Sequence, residues 1–254
     1  MSLHVKSSGS GAPLLLIHGW GMHGGVWDGV VQKLAADFRV HSVDLPGYGY
    51  SNTEHGLTLD AIVDSLSVCF TVPLNICGWS LGGQVALRWA RREPKKVQRL
   101  ILAASTPCFA ERADWGSGMK SEVLQQFAME LEKNHAATLR RFIALQLRGS
   151  EHERELLALM RGSLFNRGEP DMDALRAGLC ILRDADLRDE LHDIKQPALV
   201  IAGERDKLTP PEASYYLAQS MPAARLFEVA GAAHAPFLSH PEVFVEQVKS
   251  FLHE

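Results

Sequence analysis

Ser80 lies in Gly78-Trp79-Ser80-Leu81-Gly82, between the apolar run Pro73-Leu74-Asn75-Ile76-Cys77 and the helix-like stretch Gln84-Val85-Ala86-Leu87-Arg88. Where a strand turns sharply into a helix, the residue at the turn is held in a strained backbone conformation and its side chain is thrust outward. The residues two before and two after it approach so closely that only very small side chains fit, which accounts for Gly78 and Gly82. A serine displayed in this way is a nucleophile once a base reaches it. The motif alone decides little, because glycine and serine are common enough to produce it as an ordinary turn.

Candidate partners fall at the ends of other apolar runs. Ile17-His18-Gly19-Trp20-Gly21 follows the run ending at Ile17, and its glycines let a backbone N–H point inward. The N–H groups of Trp20 and Leu81 would form an oxyanion hole, with the Trp20 indole walling the pocket. Gly203-Glu204-Arg205-Asp206 follows the run Leu199 to Ala202, and Ala230-Gly231-Ala232-Ala233-His234 follows Leu226 to Val229. Ser80, Asp206 and His234 then stand in the order nucleophile, acid, base, unlike chymotrypsin or subtilisin. Each also has a plainer reading. Asp206 could cap a helix near Pro210-Pro211, Glu204 is a rival acid, and His240 lies close to His234. All three occurring after strands, in this order, favours a Ser-His-Asp hydrolytic mechanism that needs no metal or organic cofactor. Asp44-Leu45-Pro46-Gly47-Tyr48-Gly49-Tyr50-Ser51 reads as a tight turn whose glycines relieve crowding. His18 reads as a brace for the oxyanion loop.

The elements that must position these residues alternate. Pro13 to Ile17, Arg39 to Val43, Leu74 to Cys77, Val97 to Ala103, Pro197 to Ala202 and Arg225 to Val229 read as buried strands. Helical patterns lie between or after them at Trp27 to Ala35, Leu59 to Val68, Leu81 to Arg91, Pro211 to Gln219 and Pro241 to Leu252. Such alternation predicts an α/β fold, a mostly parallel central sheet with helices on both faces and a crevice beyond the strands' carboxyl ends. Residues 107–183 break the pattern, with only amphipathic helical stretches at Ser121 to Lys133, Ala136 to Leu147, Glu151 to Arg161 and Asp173 to Leu182. The simplest division is a core of residues 1–106 and 184–254 with an all-helical lid, 107–183, inserted over the crevice.

Composition narrows the class. A chain of 254 residues, 46% hydrophobic and 22% charged, suits an ordinary globular protein with a substantial core. A net charge of −4 supplies no broad basic field for nucleic acid or an anionic membrane. The N-terminus from Met1 to Lys6 lacks a signal-peptide pattern, and no apolar run approaches a bilayer span. Cys69, Cys77, Cys108 and Cys180 are scattered without metal-ligand spacing, as expected of reduced thiols in a cytoplasmic protein. A monomer is expected.

Over nearly its full length the chain resembles the α/β-hydrolase superfamily. The likeness rests on HGWG at 18–21, DLPGYGYS at 44–51, GWSLGG at 78–83, GERD at 203–206 and AAHAPF at 232–237. Serine at the elbow, where haloalkane dehalogenases and epoxide hydrolases have aspartate, implies acyl transfer. GWSLGG, Ser105-Thr106-Pro107-Cys108-Phe109, Arg141-Phe142-Ile143-Ala144-Leu145-Gln146 and AHAPFLSHP at 233–241 resemble the pimeloyl-[acyl-carrier protein] methyl ester esterases of biotin synthesis.

That resemblance implies a methyl ester on a pimeloyl chain borne by acyl carrier protein, held in a slot between core and lid. It marks Phe142 and Gln146 as substrate-contacting, together with Trp20, Ser80, Leu81 and His234; alternatively Phe142 packs the lid. Among the lid cations Arg140, Arg141, Arg148, Arg154 and Arg161, it matches Arg141 and Arg154 to carrier-contacting positions. Ala137 and Ala158 stand where the family has shown arginine, and Arg140 and Arg161 lie nearby as substitutes. The plainer reading is a solvated helix face with internal salt bridges. Competing functions are a general short-chain carboxylesterase, a carbon–carbon bond hydrolase of the same fold and, from another class, a non-enzymatic ligand receptor.

Overall fold

Four apolar runs are so thoroughly hydrophobic that only burial on both faces suits them, and they become the centre of a seven-stranded sheet. The computed structural model describes residues 2–53 and 56–254; Met1, where the N-terminal reading begins, lies outside them. The strands are β1 (Val5–Ser8), β2 (Ala12–Ile17), β3 (Phe38–Val43), β4 (Leu74–Trp79), β5 (Val97–Ala103), β6 (Ala198–Gly203) and β7 (Ala224–Val229). Their spatial order is β1-β3-β2-β4-β5-β6-β7. β1 runs antiparallel to β3, and every other neighbour pair is parallel. Leu14 to Ile17, Leu74 to Trp79 and Ala198 to Gly203 are buried throughout, as doubly covered parallel strands require.

The helices of the core are α1 (Asp28–Leu34), α2 (Leu59–Cys69), α3 (Leu81–Arg92), α8 (Pro211–Ser220), α9 (Pro236–Ser239) and α10 (Pro241–Leu252). Between β5 and β6 lie α4 (Ser121–Lys133), α5 (His135–Leu147), α6 (Glu153–Ser163) and α7 (Met172–Asp184). The α/β architecture expected from the alternating pattern is the one observed. β1 was not expected: its Lys6 and Ser7 are exposed, and it joins the sheet by backbone pairing such as Val5 with Val43, with a Ser7 Oγ–His41 Nδ1 contact at 2.7 Å beside it. The extensions of β4 to Trp79 and β6 to Gly203 carry each strand to the edge of the site.

From β2 the chain passes to β3 on one side and returns to β4 on the other. This reversal opens the crevice at the carboxyl ends of β2 and β4. His18-Gly19-Trp20 and Ser80 emerge there.

Candidate active site

Ser80 is the N-cap of α3, with φ 55° and ψ −118°, a conformation that non-glycine residues rarely adopt. Its backbone holds it there: Ser80 N–H donates to Ala103 O at 3.0 Å, and Ser105 Oγ donates to Ser80 O at 3.0 Å. The elbow closes only because its neighbours lack side chains. A Cβ on Gly78 would lie 2.3 Å from Gly82 O, and one on Gly82 would lie 2.4 Å from Ile17 O. Gly83 carries a third constraint that the five-residue motif does not contain, since its Cβ would meet Ser105 Oγ at 1.8 Å.

The oxyanion loop is braced by His18. Its Nδ1–H donates to Gly19 O at 2.8 Å, and its Nε2 accepts the Leu45 N–H at 2.9 Å. Burial lowers the pKa of this ring to about 4, so it is neutral near pH 7 and serves as one donor and one acceptor. Gly19 brings the loop onto the elbow, for a Cβ there would be 3.2 Å from Ser80 Cβ. Among the described residues, the N–H groups of Trp20 and Leu81 have no hydrogen-bond acceptor. The Trp20 side chain is 1% exposed, and Nε1–H donates to Leu175 O of α7 at 2.9 Å. Its rings meet Phe127 of α4 at 5.4 Å and Phe142 of α5 at 5.0 Å, both edge-on. Phe142 therefore packs the insertion and also touches Trp20. Phe127 was not singled out by the sequence; only its place on the apolar face of α4 hints at it.

Asp206 and His234 meet at 2.8 Å, Nδ1–H to Oδ2, both fully buried. Asp206 Oδ1 also accepts the N–H groups of Leu208 at 2.8 Å and Thr209 at 3.0 Å, while Thr209 Oγ1 donates to Oδ2 at 2.7 Å. One oxygen thus braces the turn before α8 and the other faces the imidazole; the helix itself has Pro210 as its N-cap and no side-chain cap, so Asp206 does not cap it as the plainer reading had it. Glu204 instead accepts from Gly231 N–H at 2.7 Å, and His240 lies 3.5 Å from Glu151. Neither rival joins the pair. His234 is tied to the elbow through its carbonyl, which accepts Trp79 Nε1–H at 2.7 Å. No hydrogen bond joins Ser80 Oγ to His234 among the described residues; such contacts often tighten only with substrate bound.

The inserted helices touch the base directly. The backbone N–H of His234 donates to Gln146 O, at the end of α5, at 3.0 Å. Gln146 is 1% exposed, and its Oε1 has no partner among the described residues. The turn after α5 is stapled to the same loops by Glu151 N–H to Gly231 O at 3.1 Å and Arg205 Nη1 to Gly149 O at 3.2 Å.

The arginines on and beside α5 and α6 are not equivalent. Arg141 is paired with Glu130 of α4, and Arg140 lies over the Phe165 ring at 5.5 Å. Arg148, Arg154 and Arg161 are exposed, with no ion-pair partner among the described residues. Between α4 and α5 runs a cavity of about 440 Å³ lined by Val123, Phe127, Leu145 and Arg141. Neither it nor a separate apolar cavity of about 290 Å³ between α4 and α7 has Ser80, Asp206 or His234 in its lining. Among the described residues, no cluster of three or more His, Cys, Asp or Glu is arranged for a metal ion, and no helix is long and apolar enough to cross a membrane.

Comparison with known proteins agrees with the fold. A family model described as "alpha/beta hydrolase fold" matches residues 12–241. A pimeloyl-[acyl-carrier protein] methyl ester esterase of Nitrosomonas europaea is 46% identical over 245 residues, covering 96% of this chain and 97% of the relative. The protein of that name from Nitrosospira multiformis is 40% identical, covering 99% and 98%. Among solved structures, an esterase from Exiguobacterium antarcticum superposes with a TM-score of 0.91 at 23% identity, covering 99% of this chain and 96% of that one. That structural likeness speaks to the fold alone.

Proposed function

The chain belongs to the alpha/beta hydrolase family, and within it we propose that it is a serine carboxylesterase that hydrolyses the methyl ester of pimeloyl-[acyl-carrier protein]. The observation that carries this reading is the full-length likeness, at 46% identity, to a relative so named. The buried Asp206–His234 pair and the strained Ser80 supply the chemistry it needs.

Ser80 Oγ attacks the ester carbonyl while His234 Nε2 takes its proton. Asp206 holds the Nδ1–H tautomer and stabilises the imidazolium without itself being protonated. The N–H groups of Trp20 and Leu81 stabilise the oxyanion; losing one such donor costs about 10²–10³ in rate. His234 then protonates the departing methoxide, giving methanol and an acyl-serine. Water, deprotonated by the same ring, cleaves that ester to free the pimeloyl carboxylate and restore the serine.

We take the groove between α4 and α5 as the route for the carrier's flexible arm, because Phe127 in its lining touches Trp20. With Arg141 engaged by Glu130 and Arg140 stacked on Phe165, Arg148, Arg154 and Arg161 are left to meet an acidic carrier first, the last two together on α6. Gln146 is taken to contact the acyl group, supported by its backbone carbonyl on the His234 N–H and a side-chain oxygen without a partner among the described residues.

The test is hydrolysis of the carrier-borne methyl ester by wild type and Ser80→Ala, beside a short free ester. Turnover of the carrier substrate that disappears in the variant is expected. Ser80-dependent turnover of the free ester alone would leave a general carboxylesterase, and a folded protein inactive on both would favour a ligand receptor.

A further inference from the structure

Thr209 stands where three polar groups of the site converge, and no motif singles it out. It is 2% exposed. Its Oγ1 lies 2.7 Å from Asp206 Oδ2, 3.1 Å from Ala104 O and 3.2 Å from His234 Nδ1. A hydroxyl has one proton and two lone pairs. The proton has two acceptors in reach, and charge favours Asp206 while the imidazole is neutral. The Nδ1 proton of His234 goes to Asp206 Oδ2 at 2.8 Å, so Oγ1 is a second oxygen facing it. Swinging the ring about the Asp206 contact would lose Oγ1.

Ala104 connects this triangle to the nucleophile. It is held at φ 44°, an unusual value for alanine, with its N–H bonded to Ile201 O at 2.8 Å. Its neighbours grip Ser80 from both sides, Ala103 O accepting the Ser80 N–H and Ser105 Oγ donating to Ser80 O, each at 3.0 Å. Residues 103–105 therefore hold the nucleophile's peptide on one side and the Thr209 hydroxyl on the other.

We propose that Thr209 is a positioning residue for the Asp206–His234 pair, its hydroxyl fixing the imidazole's orientation and referencing it through Ala104 O to the segment that holds Ser80. This rests on the hydrolytic reaction proposed above. When His234 becomes an imidazolium, turning the hydroxyl to Ala104 O points a lone pair at Nδ1–H and leaves Oδ2 wholly to the ring. The contact strengthens as charge develops, so it acts on kcat rather than on KM.

Thr209→Val keeps the branched shape and removes the O–H, whereas Thr209→Ser keeps the O–H and removes a methyl. On a p-nitrophenyl ester and on the carrier-borne ester, Val should lower kcat at least about tenfold with KM within about twofold, and Ser should stay within about threefold of wild type. If the Val variant fails to fold, Ser against Ala, which differ only by the oxygen, reads the same contrast. Val as active as wild type, or Ser impaired as much as Val, would overturn the proposal and leave only side-chain packing. Ser80→Ala measured alongside separates the two readings: lost activity there with an indifferent Thr209→Val sinks this inference alone, while retained activity sinks the reaction itself.

Discussion

His18 illustrates how a conspicuous residue in a catalytic loop can be structural. Both ring nitrogens are used within the fold, on Gly19 O and the Leu45 N–H, and burial lowers its pKa from 6.5 to about 4. The unfolded chain therefore takes up this proton first as pH falls. Stability from the neutral ring is complete above about pH 6.5 and is lost progressively towards pH 4. Burial shifts His23 in the same direction. Denaturant midpoints should decline between pH 7 and 4.5, and His18→Gln should reduce that decline; an equal decline in both proteins would remove His18 as its source. At this scale the motif made Gly78 and Gly82 legible. Gly83 was not, because its constraint comes from Ser105, a residue on another strand end that only the fold brings across.

At the level of elements, the insertion and the core are joined by a buried ion pair. Arg167, between α6 and α7, reaches Asp44 after β3 with Nη1 2.9 Å from Oδ1; their side chains are 9% and 0% exposed. The Asp44 carboxylate also accepts Gly24 N–H at 2.7 Å and Tyr50 N–H at 3.0 Å. The glycines of the 44–51 turn make room for it, since a Cβ on Gly49 would meet Asp44 Oδ2 at 2.3 Å. That segment was legible as a turn, but its acid looked incidental because the countercharge lies more than a hundred residues away. Arg167→Met should destabilise the protein by about 3 kcal/mol, measured by denaturant unfolding, because it leaves a buried carboxylate without a countercharge. A loss below about 1 kcal/mol would mean that the backbone donors alone suffice. All the helices but the four-residue α9 are legible within a residue or two of their bounds, Ser121–Lys133 and Pro241–Leu252 among them, because an apolar stripe marks them; α9 is too short to show one. β1 escaped because only Val5 of its four residues is apolar, too little to leave a strand pattern in the sequence.

For the molecule as a whole, charge decides how an acidic carrier could be met. A net charge of −4 repels such a partner at long range, so attraction has to be local and salt-sensitive. The double variant Arg154→Glu, Arg161→Glu should lower kcat/KM on the carrier-borne ester about tenfold or more at low salt and leave a short free ester unchanged. Equal effects on both esters, or on neither, would argue against docking at α6.

The sequence by itself determined the α/β alternation, the elbow around Ser80 and the strand ends on which Asp206 and His234 sit. These follow from local rules: apolar runs must be buried, and a strand-to-helix turn needs glycine. It left open whether Asp206 or Glu204 faces the base, whether Phe142 packs or lines a slot, and which lid arginines are already paired. Tertiary structure decided the first and the last, setting Asp206 rather than Glu204 on His234 and Arg141 on Glu130, and it brought Phe142 against Trp20. It also brought Thr209, Ala104 and Ser105 into one network around the site. The physical reason is range: periodicity and turn chemistry act over a few neighbouring residues, whereas a hydrogen bond or ion pair between distant segments exists only once the sheet has set their ends side by side.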